Sequence, residues 1–324
     1  MDVRFSPEQQ ALRDSVAQVV ERLGPTAVGR LGDLERVAKL DAAVESSGWR
    51  DLRTAQDDGT PWATGVDVAI VAEGLARGVA DVSFIGPTLA AELRRTLGVA
   101  PAAGRETIAL RHDLGALGDD VAIDAAGAVT ALAARGDRVV ALPLGLPSAE
   151  VDLTRPSASL GADETVVGEV TADDLERWTA LGLALTCADL VGTMQGAVDV
   201  TCAYAKEREQ YGASIGSFQA VQHLLADALV LTEGSRSITL HAAWAADALP
   251  PEDAIGAAAS AKAYCARAAR TVCETSIQVH GGIGNTWEHM AHVYLRRALV
   301  STDVLGGVGP SLDRVLAHHG IGGG

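Results

Sequence analysis

The sequence predicts a mainly α-helical protein with a small β-domain in the middle of the chain, and three observations lead to this prediction. The first third carries helix start signals and helical apolar spacing. The middle contains five short β-type runs separated by Gly, Asp and Pro. The rest returns to long stretches of helical periodicity. We therefore expect an N-terminal helical domain over residues 1–104, a reduced β-sheet or barrel over 105–172, a C-terminal four-helix bundle over 173–319 and a flexible tail over 320–324.

The N-terminal helices are marked by their first and last residues. Ser6 can cap a helix, Pro7 suits the first helical position and Gln9 completes a capping box. Further helices are predicted over residues 35–47, 66–75 and 89–97, with a loop over residues 57–61.

The middle segment predicts a small antiparallel sheet or barrel. Its β-type runs cover residues 107–110, 121–124, 129–132, 139–142 and 165–170. Runs of this length, at this spacing and with turn residues between them, are typical of short paired strands.

The C-terminal part predicts long helices that pack together. Apolar residues from Leu181 to Val198 repeat at three and four positions and form one stripe, which predicts a helix over about 173–209. Helices are also predicted over residues 218–246, 251–280 and 287–297.

The composition limits the classes of partner. The chain has 26 basic and 42 acidic side chains, a formal net charge of −16. This charge disfavours nucleic acid and anionic membrane surfaces as partners. The four cysteines form no Cys-x-x-Cys pair and no zinc-like cluster, so we expect buried thiols and no metal site. With no signal peptide and no apolar run of membrane-spanning length, the expected location is cytoplasmic.

Two separated segments carry the most specific signal. One is YAKEREQYG (204–212), followed by IGSFQAVQH (215–223). The other is QVHGGIGNTWEH (278–289), followed by YLRR (294–297). Together they resemble the C-terminal helical domain of the acyl-CoA dehydrogenases, and FSPEQQALR (5–13) is similar to the opening helix of that family. The order of helices, sheet and helices fits the family from end to end.

The resemblance implies a flavoprotein that oxidises an acyl-CoA thioester. Members of the family are usually dimers of dimers with FAD at each subunit boundary. They remove the α-proton of the thioester while the β-hydrogen leaves as hydride to the flavin. One subunit holds the flavin ring, and the C-terminal helices of its neighbour hold the pyrophosphate and the adenosine.

The motifs also imply which residues bind the cofactor. Arg208 would meet the pyrophosphate, because its planar guanidinium can donate two parallel hydrogen bonds to phosphate oxygens. In isolation such an arginine is most often a solvated helix residue, and its sequence context reverses that interpretation. Glycines without a Cβ would let the cofactor approach the backbone. The predicted cofactor-binding residues are Arg208, Gln210, Tyr211, Gln219, Gln278, Gly281 and Gly282.

The positions at which the family carries its catalytic base hold other residues. The reaction needs a carboxylate in a dry pocket beside the α-carbon. Leu305 stands at the usual position, and Gly182 stands at the alternative position on the long helix. Neither can accept a proton, so we predict no catalytic residue in this chain. Asp189 and Asp199 lie at other heights on that helix, and Glu176 is offset from Gly182 by six residues.

The middle segment also lacks the motifs that hold the flavin ring in the family. Neither a Thr-Glu-Pro-x-x-Gly-Ser-Asp-like segment nor a Trp-x-Thr-like segment occurs between Arg105 and Val170. The chain therefore resembles the shortened, non-catalytic subunit of actinobacterial α2β2 acyl-CoA dehydrogenases. The resemblance implies a homologous catalytic partner, two FAD per tetramer at the interfaces of unlike chains, and no activity of this chain alone. Helices 218–246 and 251–280 would form the tetramer core.

The substrate and electron acceptor follow from the same resemblance. A sterol side-chain CoA thioester is the substrate of that subgroup, and an electron-transferring flavoprotein is the expected acceptor. Two alternatives stay open at this point. One is a self-sufficient homo-oligomeric dehydrogenase with a relocated base at Glu176, Asp303 or Glu288. The other is a non-enzymatic scaffold or acyl-CoA-binding protein in which the Arg208 motif is inherited packing.

Overall fold

The computed structural model describes residues 4–148 and 151–321. The expected order of helices, sheet and helices is confirmed. The N-terminal helices are α1 (Pro7–Leu23), α2 (Leu34–Ser46), α3 (Gly65–Arg77) and α4 (Ile85–Thr96). The capping box at Ser6 and Gln9 forms as predicted. Helix α4 begins four residues before the predicted start, because Pro87 is tolerated within a first helical turn.

Within residues 4–148 and 151–321, six strands form one sheet that closes on itself. They are β1 (Glu106–Leu110), β2 (Val121–Ile123), β3 (Thr130–Arg135), β4 (Arg138–Pro147), β5 (Ala158–Leu160) and β6 (Thr165–Glu169). Their order is β3-β1-β2-β5-β4-β6, and an additional β3–β4 pairing completes a ring. The sequence predicts a small antiparallel sheet or barrel, and the antiparallel pairing does not hold between β1 and β3, which pair in parallel. Strand β5 has three residues, too few for its alternation to stand out in the sequence.

The described residues of the C-terminal half include five further α-helices and a small hairpin. The helices are α5 (Ala172–Glu207), α6 (Gln219–Ala248), α7 (Pro251–His280), α8 (Ala291–Asp303) and α9 (Val308–His318). Between α5 and α6 lies the hairpin of β7 (Glu209–Gln210) and β8 (Ala213–Ser214). Helix α8 begins four residues later than predicted, and α9 was not predicted. The division of the chain into domains at residues 104, 172 and 319 stays a prediction.

Helix α5 is the centre of the fold. Thr171 caps it with Asp174, and it packs against α3, α6, α7 and α8. Its glycines let α3 come close, since a Cβ on Gly192 would stand 2.1 Å from the carbonyl oxygen of Glu73. By length and composition α5 could cross a membrane, but 94% of its most apolar window is buried inside the fold, as in a core helix.

The expectation of buried thiols is met by three of the four cysteines. All four are free, and three are buried while Cys202 is half-buried. Within the described residues no group of three or more His, Cys, Asp or Glu side chains could hold a metal ion.

Candidate cofactor-binding site

The structure brings the two motif segments together at one end of the helical bundle. Tyr204, in the last turn of α5, packs on His280, the last residue of α7, with ring centroids 4.5 Å apart. His289 completes this aromatic cluster, with its centroid 4.1 Å from that of His280. About one turn earlier on each helix, the buried hydroxyls of Thr201 and Ser276 are hydrogen-bonded at 2.7 Å. These ring contacts and this hydrogen bond therefore hold together two motif segments that are far apart in the sequence.

The surroundings of the histidines in this cluster favour the neutral form of the rings. Burial lowers the pKa of both His280 and His289. His280 Nδ1 lies 2.7 Å from the carbonyl oxygen of Ser276, so Nδ1 donates its proton there. The two rings can then pack without charge repulsion, and the aromatic cluster can hold the ends of α5 and α7 in register.

Arg208 stands where helix α5 ends. Its backbone N–H still bonds the carbonyl of Tyr204, while its own extended backbone turns the chain into the β7–β8 hairpin. The side chain is exposed. Over the described part of the chain, no acidic side chain forms an ion pair with it, which leaves the guanidinium free to bind an anion.

The hairpin after Arg208 presents a tyrosine to solvent. Tyr211 and Gly212 both have positive φ, 54° and 77°, as the two central residues of a type I′ turn require. Tyr211 is 97% exposed, and its ring lies edge-on to Phe218 with centroids 6.4 Å apart. Gln219 follows directly as the first residue of α6. An exposed aromatic side chain beside two amides is suited to contact a polar, flat ligand.

The glycine pair after α7 leaves the backbone open. Gly281 has a φ of 65°, a conformation that favours glycine. A Cβ on either Gly281 or Gly282 would meet no atom within 4 Å. Glycine at position 282 is therefore not required by packing inside this chain, and the open space is available to a ligand or to another subunit.

All seven predicted cofactor-binding residues are exposed to solvent. The segments that carry them lie at the end of α5, at the start of α6 and at the end of α7. A free guanidinium, exposed amides and an open glycine backbone suit an extended phosphate ligand. Their individual roles stay predictions.

The two positions expected to hold a base lie against each other. A Cβ on Gly182 would stand 2.2 Å from Cδ1 of Leu305 and 3.4 Å from Cδ1 of Leu89. Leu305 is completely buried, and its N–H bonds the carbonyl of Leu114 at 2.7 Å. This location is filled by aliphatic side chains.

The other carboxylates that were considered as bases lie elsewhere. Asp199 pairs with Arg77 at 2.7 Å on the surface. Glu288 and Asp303 are exposed, and Glu176 is half-buried in the second turn of α5. Asp189 is buried in an ion network with Arg297, whose Nη2 lies 2.6 Å from its Oδ1.

Sequence reasoning missed a buried lysine that supports the turn of Leu305. The ammonium of Lys262, on α7, donates to the carbonyls of Ser301 at 2.6 Å and Val304 at 2.9 Å, and to the hydroxyl of Thr186 at 3.1 Å. Burial lowers the pKa of Lys262 to about 8. The only signal in the sequence is a single charge in an alanine-rich run.

Comparison with known proteins identifies the family. The profile of the acyl-CoA dehydrogenase C-terminal domain matches residues 180–309. The acyl-CoA dehydrogenase IpdE2 of Mycobacterium tuberculosis is 31% identical over 317 residues, which cover 92% of this chain and 93% of IpdE2. This chain belongs to the acyl-CoA dehydrogenase family. The acyl-CoA dehydrogenase FadE34 of Mycobacterium tuberculosis is 41% identical over 181 residues, 56% of this chain but only 25% of FadE34. FadE34 is thus more than twice as long.

Solved structures of acyl-CoA dehydrogenases share the fold over nearly the whole chain. A variant of the Tcur3481–Tcur3483 steroid ACAD superposes with a TM-score of 0.81 at 23% identity, covering 97% of this chain and 98% of that one. The ChsE4–ChsE5 complex from Mycobacterium tuberculosis gives a TM-score of 0.79 at 21% identity, with 99% of each chain covered. FAD is the cofactor of the acyl-CoA dehydrogenase family, and the exposed residues described above fit its diphosphate half.

Proposed function

We propose that this chain is the non-catalytic subunit of a two-component acyl-CoA dehydrogenase, and that it completes the FAD site of a homologous catalytic subunit. The observation that carries the proposal is the contact between Gly182 and Leu305. Both positions at which we expect the family's base lie at one buried aliphatic location, and neither Gly182 nor Leu305 can accept the α-proton.

The solvent exposure of the predicted cofactor-binding residues supports the same proposal. Arg208 at the end of α5, Tyr211 in the β7–β8 hairpin and Gln219 at the start of α6 all face solvent. Arg208 would bind the pyrophosphate, Gln210 and Tyr211 would flank it, and Gln219 would contact the adenosine half. Gln278, Gly281 and Gly282 would bring backbone groups to the diphosphate. FAD bound there would supply the hydride acceptor, while this chain supplies binding and orientation.

The relatives add independent support for a partner chain. FadE34 contains a region similar to this chain within a polypeptide more than twice its length. The ChsE4–ChsE5 and Tcur3481–Tcur3483 assemblies each carry two component names. By analogy we propose an α2β2 tetramer with one FAD for each pair of unlike chains, helices α6 and α7 in its core, a steroid-derived acyl-CoA substrate and an electron-transferring flavoprotein as acceptor.

Activity measurements on separate and mixed chains test the proposal. This chain and a homologous catalytic subunit are purified separately and together, and acyl-CoA oxidation is followed with an artificial electron acceptor. We expect no turnover by this chain alone and turnover by the mixture. Replacement of Glu176, Glu288 or Asp303 by its amide should leave the mixture fully active.

The two alternatives give different results. A self-sufficient enzyme would turn over acyl-CoA alone and lose that activity with one of the three amide variants. A scaffold that has lost flavin would form the complex without FAD in it. Either result contradicts the proposed function.

A further inference from the structure

The connection between β4 and β5 contains a segment that lies inside the protein. Connections normally run over the surface, because buried irregular backbone leaves polar groups without partners. Here Asp152 and Thr154 are each only 1% exposed. We call residues 152–156 the inner segment.

The inner segment is held by an arginine that joins it to two helices. Arg155 donates from Nε to Asp152 at 2.8 Å and from Nη2 to the hydroxyl of Ser301 at 2.6 Å. Its Nη1 lies 3.3 Å from Asp189. Asp189 is on α5 and Ser301 is on α8, so one guanidinium links the sheet connection to both helices.

A second arginine completes the network from the helical side. Arg297, on α8, donates to Asp189 and also to the hydroxyl of Thr154 at 2.8 Å and the carbonyl of Ala80 at 3.1 Å. Nε, Nη1 and Nη2 of both guanidiniums therefore have a polar contact or an ion-pair partner. Burial of such charges is tolerated only when they are paired and hydrogen-bonded in this way.

The charges of the network are nearly balanced. Burial alone would raise the pKa of Asp152 and Asp189, but Arg155 and Arg297 outweigh it and lower both values. Burial raises the pKa of Asp124, whose Oδ2 accepts the N–H groups of Phe84 and Gly86 at the start of α4. Asp152 and Asp189 set two carboxylates against the two guanidiniums of Arg155 and Arg297.

The network lies beside the filled base positions. Ser301 precedes Leu305 by four residues on the α8 side, and Asp189 follows Gly182 by seven on α5. Helix α5 is therefore joined to the turn after α8 by an apolar contact at Gly182 and Leu305, and to α8 itself by the ion network at Asp189 and Arg297. Both contacts lie where the sheet meets the helices.

We propose that the inner segment is a strap that closes the cleft between this chain's own sheet and helices α5 and α8, and fixes the two together without a ligand. This inference rests on the proposed function in one respect, namely that FAD is the group that the cleft would otherwise hold. The strap explains how a subunit without its own flavin keeps one arrangement of sheet and helices.

Hydrogen exchange of the isolated chain tests the strap. Arg155→Met removes the central guanidinium while keeping an apolar stem. Arg135→Met is the matched control, because Arg135 pairs with Asp119 and Glu164 on the sheet and its side chain is 38% exposed. We expect Arg155→Met to speed amide exchange about fivefold or more in residues 121–125, 158–160 and 297–305, with α6 unchanged. The control should leave all these regions unchanged.

Two further measurements keep the proposal testable if Arg155→Met does not fold. Thr154→Val removes one hydroxyl from the network and should give a smaller change in the same regions. FAD added in excess to the unaltered chain should not protect residues 152–156, because the strap already fills the cleft. Exchange that matches the control in both variants, or FAD protection of the strap, overturns the proposal. Turnover by this chain alone would instead contradict the proposed function.

Discussion

A Cβ placed on Gly182 would lie 2.2 Å from Cδ1 of Leu305, so the two positions at which we expect the family's catalytic base are in direct contact in this chain. Gly182→Ala should destabilise the fold by about 1–3 kcal/mol through overpacking, measured by denaturant unfolding. Leu305→Ala alone should cost about 2–5 kcal/mol through the cavity that it leaves. The double variant should be less destabilised than the sum of the two changes, because the new Cβ occupies part of that cavity. Additive effects would show that the contact is absent.

A substitution at Gly282 can distinguish a role in binding from a role in packing. Gly282→Ala should leave the unfolding free energy of the isolated chain unchanged, since its Cβ would meet no atom within 4 Å. In the complex with the catalytic subunit it should lower FAD affinity, measured by flavin fluorescence. Gly309→Ala is the matched control, because a Cβ there also meets nothing within 4 Å. Equal FAD affinity in the two variants would remove Gly282 from the cofactor site.

Arg208 should contribute to binding rather than to stability. Arg208→Ala should weaken FAD binding by the complex about tenfold to a hundredfold, as expected for loss of hydrogen bonds to a charged group. The melting temperature of the isolated chain should not change, because the side chain is exposed and without an ion pair in the described residues. Arg270→Ala, which removes only an exposed pair with Glu274, is the control for surface charge. The assignment is wrong if both variants bind FAD equally well.

Because of Lys262, the free energy of unfolding should depend on pH above about 8. Its pKa of about 8 in the folded chain lies below its ordinary value of 10.5, so between these values the unfolded chain binds the proton and the folded chain does not. Stability from this group therefore rises as the pH rises from about 8 to 10.5, by up to about 3 kcal/mol. The unfolding free energy of the unaltered chain should therefore rise relative to that of Lys262→Met over this range, because methionine does not titrate. A constant difference would contradict a lowered pKa.

The sequence predicts most of the helices and strands, because these depend on local signals. It also places the candidate cofactor-binding residues in continuous motifs, which the structure exposes to solvent, while their roles stay predictions. The capping boxes at Ser6 and Thr171 start their helices, and the residues around Arg208 and Gly281 form continuous motifs. The buried ion network could not be predicted, since Asp152, Asp189 and Arg297 come from distant elements and meet only through tertiary packing. Strand β5 was missed because its pairing with β2 and β4, not its three residues, determines its conformation.

The flavin content of separated and combined chains tests the central claim most directly. The chain is purified alone and together with a homologous catalytic subunit, and FAD is counted from its absorbance against protein concentration. The account predicts a colourless isolated chain and one FAD for each pair of unlike chains in the complex. A yellow isolated chain that carries one FAD per polypeptide and oxidises acyl-CoA without a partner would contradict it.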